Sequence, residues 1–119
     1  MRPRMAPLAL AAAAAILASG CAGKPEIYRW GVYEDLVYEM YAEPGTADPD
    51  TQVAKLSEDI TRTQSEGKRV PPGVHAHLGY MYYLTGNADA AVAEFATERE
   101  LFPESAVFID GIFLRLRGE

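Results

Sequence analysis

Pro72-Gly73-Val74-His75-Ala76-His77-Leu78-Gly79-Tyr80-Met81-Tyr82-Tyr83-Leu84-Thr85-Gly86-Asn87, followed by Ala88 to Pro103, reads as two helices folded back on each other. Apolar and aromatic side chains fill the first segment and Gly86-Asn87 breaks it. Ala91 and Phe95 then recur four residues apart, on one face of a second helix. Gly79 and Ala91 are small, as two closely crossing helices require, and Tyr82 and Phe95 are large enough to fill the wedge between them. Pro103 cannot continue a helix and closes the second one.

In type and spacing, Leu78, Gly79, Tyr82, Gly86, Ala91, Phe95 and Pro103 resemble the 34-residue tetratricopeptide repeat. His75 stands where that repeat carries Trp, and Glu98 where it carries a small residue. One hairpin cannot bury its own faces, so neighbours must stack on it. Upstream, Tyr33, Leu36, Val37, Met40 and Tyr41 form the stripe of an amphipathic helix that Pro44-Gly45 ends. Asp48 and Pro49 open another helix. Its narrow stripe of Val53, Leu56 and Ile60 predicts a surface position, with Asp59, Arg62, Glu66 and Lys68 as a solvated face. This helix pair, Tyr33 to Glu66, is expected to stack as a degenerate first repeat.

Glu104 to Arg117 predicts a last helix that is apolar around nearly its whole circumference, with Arg115 and Arg117 where cations suit the helix dipole. Ala106, Ile109, Phe113 and Leu116 form the stripe expected to face the hairpin. Phe108 and Ile112 must then meet either the first helix pair or an outside partner. No stretch alternates with period two over a strand's length. The fold expected is all-α, with about five helices in tetratricopeptide-like hairpins.

The N-terminus has another character. Arg2 and Arg4 precede an unbroken apolar run of 11 residues, Leu8 to Ala18, with Ser19-Gly20 behind it. That is the layout of a secretory signal peptide, and the run is shorter than the roughly 20 residues that cross a bilayer. Leu17-Ala18-Ser19-Gly20-Cys21 resembles a bacterial lipobox, in which the cysteine thiol is acylated and the chain is cut before it. Ala18 stands where Leu is commonest. Cys21 is the single cysteine of the 119-residue chain. It is the expected lipidation site, and two or three acyl chains on it would anchor stably. Ala22 after the cysteine implies sorting to the outer membrane. The expected organisation is a signal peptide over 1–20, an acylated tether over 21–29 and a helical domain over 30–119 of the sequence.

Composition argues against several function classes. Without Arg2 and Arg4 the chain keeps nine Lys/Arg against 17 Asp/Glu, a formal charge of −8. The few cations form no stripe for phosphate backbones, so nucleic acid is not expected as a partner. The charge chiefly keeps the domain soluble, with an acidic face for a basic partner as the alternative. His75 and His77, two apart on a helix, point in different directions and make no metal pair. No nucleophile elbow, phosphate-cradling glycine loop or zinc spacing occurs. Glu98, Glu100, Glu104 and Asp110 read as solvated carboxylates rather than an acid–base pair. No metal, cofactor or catalytic activity is expected.

Tyr80 and Tyr83 fall on the face where tetratricopeptide repeats take ligands, a place suited to a peptide or partner helix because Tyr is rich in binding hot spots. The other reading is that the first helix pair covers them as core.

Three stretches, Tyr28-Arg29-Trp30-Gly31-Val32-Tyr33-Glu34, Pro72 to Gly79 and Glu100-Leu101-Phe102-Pro103-Glu104-Ser105, resemble a family of small proteobacterial lipoproteins without an assigned activity. The resemblance implies association with two other lipoproteins, one similar to the curli-secretion pore. The function expected is a membrane-anchored, periplasm-facing scaffold for partner proteins in an envelope assembly. The alternative is a receptor module for a small ligand or envelope polymer. Tyr80, Tyr83, Phe108 and Ile112 are the partner-binding candidates.

Overall fold

The computed structural model describes residues 23 and 26–118, so the expected signal segment and Cys21 lie outside the described residues. Five α-helices follow one another: α1 (Tyr33–Ala42), α2 (Pro49–Ser65), α3 (Val74–Leu84), α4 (Ala88–Leu101) and α5 (Ala106–Arg117). A 3-10 turn, Pro103–Ser105, joins the last two. Among the described residues there is no strand, and the all-α expectation holds. A single parallel bridge pairs Tyr28 with Arg69.

Local chemistry sets the helix starts. The Asp48 carboxylate accepts the Thr51 N–H at 2.9 Å, and Pro49 sits in the first turn. That cap also holds Asp48 below the usual carboxylate range. Asn87 caps α4 through the Ala90 N–H at 3.2 Å. Ahead of it Gly86 makes the turn at φ +82°, a conformation open chiefly to glycine. α3 differs: its N-cap is Gly73 at φ +94°, which has no side chain to offer.

α3 lies at the centre and feeds both cores. Val74 and Leu78 pack with Leu36 of α1, Leu56 of α2 and Val70. Ala76 packs with Ala91 and Phe95 of α4 and Ile109 of α5. Tyr82 touches both clusters. Gly79 and Phe95 meet where the sequence placed the crossing: a Cβ on Gly79 would lie 2.9 Å from the Phe95 ring and 3.1 Å from the Ala91 carbonyl oxygen.

Two readings of α2 need correction. Its stripe is not superficial, because Leu56 is fully buried, together with Gln52 and Thr63. Nor are Asp59 and Glu66 simply solvated. Arg29 donates to Asp59 at 2.5 Å and to the Thr63 hydroxyl at 3.0 Å, and its Nε lies 3.3 Å from Glu66. Asp59 also accepts the Val32 N–H at 3.3 Å. Packing of the upstream segment thus begins at Tyr28, whose ring carries the Arg69 guanidinium at 5.3 Å.

Candidate functional site

α1, α3 and α5 enclose a groove of about 640 Å³. Tyr33, Met40 and Tyr41 line it from α1, and Gly73, Ala76, His77 and Tyr80 from the α3 segment. Phe108, Ile112, Arg115 and Leu116 complete it from α5. The volume lies within the few hundred to a thousand Å³ typical of ligand pockets.

The floor is held by hydrogen bonds. Gln52, buried on α2, donates from its amide nitrogen to the Ala47 carbonyl at 2.8 Å. Its amide oxygen therefore faces the His77 Nε2 at 2.7 Å, which assigns the proton to that nitrogen. The Tyr33 ring meets the imidazole nearly edge-on, with centroids 5.6 Å apart. Burial lowers the His77 pKa below the usual imidazole value and keeps the ring neutral. Burial raises the Tyr33 phenol above its usual value, with Glu98 and Tyr41 adding to the effect.

The rim is more exposed. Tyr80 is 41% and Phe108 57% accessible, while Ile112 is partly covered by the Phe95 cluster. Three of the four residues expected to meet a partner, Tyr80, Phe108 and Ile112, thus share one groove. Tyr83, 40% accessible, lies outside its lining. Neither tyrosine is covered as core by the first helix pair. Among the described residues Arg115 is the one charged side chain in the lining, and its Nε donates to the Gly111 carbonyl at 3.0 Å.

Sequence reasoning missed α1's share, Tyr33, Met40 and Tyr41, and misjudged Glu98. That carboxylate is 1% exposed rather than solvated. It accepts the Gly73 N–H at 2.7 Å and the Ala76 N–H at 3.3 Å, capping α3 from α4. The available signal was the bare glycine at the α3 N-cap. His75 and His77 diverge as expected, His75 turning its Nδ1 to the Glu94 carboxylate at 2.6 Å. No cluster of metal-binding side chains occurs among the described residues, and none of their helices is long and apolar enough to cross a membrane.

Fold and groove define an all-helical domain with an aromatic cleft framed by three helices. The chain belongs to the family described as a domain of unknown function (DUF4810), which matches residues 27–112. No curated protein and no solved structure matches the chain.

Proposed function

We propose that this protein is a lipid-anchored, periplasm-facing lipoprotein of the outer membrane and a non-enzymatic helical scaffold. It holds partner lipoproteins, one of them similar to the curli-secretion pore, in a cell-envelope assembly. The observation that carries this reading is the groove between α1, α3 and α5, with Phe108 and Tyr80 accessible at its rim. Apolar and aromatic side chains beside the Arg115 guanidinium suit a protein segment, since aromatic anchors dominate association energies. The tetratricopeptide reading supports the same face. α1 and α3 are the first helices of successive hairpins, and ligands of such repeats lie across first helices. The anchor rests on the lipobox resemblance at Cys21.

A receptor for a small ligand is the second reading, favoured by the neutral imidazole and the phenol that converge at the groove floor, 5.6 Å between ring centroids. The accessibility of the rim aromatics weighs toward a protein occupant. A photo-crosslinking residue placed at Phe108, and as a control at exposed Thr61 of α2, separates the readings. The scaffold reading expects protein adducts from position 108 in intact membranes and few from position 61. Equal labelling from both positions, or none from 108, would overturn it.

A further inference from the structure

The segment before α1 meets the loop before α3 at one end of the domain. Tyr28 bridges to Arg69, and the Arg29 N–H donates to the Arg69 carbonyl at 3.1 Å. The Arg69 guanidinium lies over the Tyr28 ring at 5.3 Å. That half-buried ring also meets Trp30 edge-on at 6.5 Å and Phe102, just past α4, at 6.3 Å between centroids.

Around Tyr28 several apolar side chains face water. Ile27 is 63%, Trp30 41% and Leu101, the last residue of α4, 46% accessible. Leu101 and Phe102 share a hollow with Lys68 and Arg69, both exposed. Single exposed apolar residues are ordinary on a surface, but these three gather with two cations around one aromatic ring. Among the described residues no carboxylate lies within ion-pair distance of Lys68 or Arg69. Glu66, the acid nearest to them in sequence, is taken by Arg29 and Arg62. In a chain of formal net charge −6 a cationic, aromatic end stands apart.

Position in the chain decides what this end meets. Ile27 follows Cys21 by six residues, and six residues of chain reach at most roughly 20 Å. A membrane that holds acyl chains on Cys21 lies within that reach of Ile27. Between Cys21 and Arg29 the sequence carries one acid, Glu26, offset by Lys24. Indole rings settle at the headgroup level of a bilayer, and Lys and Arg there gain from anionic lipid.

We propose that this end of the domain, Ile27, Trp30 and Leu101 with Lys68 and Arg69, rests on an anionic glycerophospholipid surface. The proposal builds on the acylation of Cys21 and adds a second, non-covalent contact to it. Acyl chains alone tether the domain without orienting it, whereas this contact fixes which end faces the lipid.

Trp30 is the single tryptophan of the chain, so its emission reports this face alone. The test reconstitutes the acylated protein, purified from membranes, in vesicles of phosphatidylethanolamine and phosphatidylglycerol, with and without bromine high on the acyl chains. Flotation with the vesicles reports the anchor, and bromine, which quenches only on close approach, reports the face. Trp30 is expected to be quenched by brominated lipid and shielded from aqueous acrylamide. Each cation shifts the balance between seated and lifted domain by about fivefold on an anionic surface. Lys68→Gln/Arg69→Gln, at exposed positions that spare the core, should therefore still float but lose most of the quenching, as should the parent in neutral phosphatidylcholine. Protein that floats with Trp30 unquenched would overturn the face and leave the anchor standing, whereas protein that does not float removes the anchor and this contact with it. Quenching undiminished in the double variant would also overturn the proposal. So would a Trp30 shielded in native membranes but not in lipid vesicles, which would make this end a protein contact.

Discussion

The Glu98 carboxylate on α4 closes the first turn of α3, its Oε1 accepting the Gly73 N–H at 2.7 Å and its Oε2 the Ala76 N–H at 3.3 Å. Gly73 sits at φ +94° and carries no side chain, so the cap has to come from another helix. A buried donor left unpaired costs about 1–3 kcal/mol. Glu98→Ala should lose about that much in urea unfolding, and Glu98→Gln, which keeps one carbonyl acceptor, should lose less. An alanine variant as stable as the parent would mean that α3 does not depend on this cap.

Gly79 offers a second measure of packing. A Cβ there would approach the Phe95 ring at 2.9 Å and the Ala91 backbone oxygen at 3.1 Å, and the backbone has little room to yield. Overpacking typically costs about 1–3 kcal/mol. Gly79→Leu should fall at the upper end of that range and Gly79→Ala lower, read as a drop in Tm with helical content retained below it. An unchanged Tm for the leucine variant would remove Gly79 from the crossing.

These two positions also mark how far the fold could be read from sequence. The α3–α4 hairpin was legible because Gly79, Ala91 and Phe95 carry its crossing in local spacing. α2 was misread because its apolar stripe counts only Val53, Leu56 and Ile60. Gln52 and Thr63 are buried beside them because they hydrogen-bond, Gln52 to Ala47 at 2.8 Å and Thr63 to Asp59 at 2.7 Å. The Arg29–Asp59 pair spans 30 residues, beyond any helical periodicity. At the groove, Tyr80 is marked by its place on the ligand face of the repeat, and Phe108 and Ile112 by a last helix apolar around nearly its whole circumference. Tyr33 and Met40 carry no such mark, because the same amphipathic stripe serves both core and cleft, and only the stacking of α1 decides between them.

His77 should impose a pH dependence on stability. Burial lowers its folded-state pKa below the ordinary 6.5, so the unfolded chain binds its proton first as pH falls. Above that value the ring is neutral in both states and contributes no slope. Below it, stability drops until the pH reaches the lower folded-state value. Urea midpoints taken through this window should fall with pH in the parent and fall less steeply in His77→Gln. Identical slopes would show that the imidazole is not desolvated on folding.

Cys21 carries the proposed anchor. Cys21→Ser removes the thiol that would form the thioether, and should leave an unprocessed chain that takes up no labelled fatty acid. Acylation of the serine variant, or its retention on membranes after a carbonate wash, would end the lipobox reading.

The last prediction separates the two faces of α5. Ile109 is fully buried against Ala76 and Phe95, and the Phe113 ring meets Phe95 edge-on with centroids 5.3 Å apart. Phe108, one residue before Ile109, is turned outward and 57% accessible at the groove rim. Truncating a buried Ile costs about 2–5 kcal/mol because a cavity remains, so Ile109→Ala should unfold the domain far more readily. Phe108→Ala removes a ring that is already mostly solvated, and surface changes of this kind usually stay within about 0.5 kcal/mol. If the groove is where a partner docks, that ring is a candidate anchor, and its loss should weaken the complex by 2 kcal/mol or more, roughly thirtyfold. Ile112 falls between the two, since it lines the groove and also packs on the Phe95 cluster. Ile112→Ala should therefore lose both folding stability and association. The measurement is a melt of each variant beside co-purification of its membrane partners. Phe108→Ala that melts like the parent yet still retains every partner would leave the groove without an anchor and the scaffold proposal without its site.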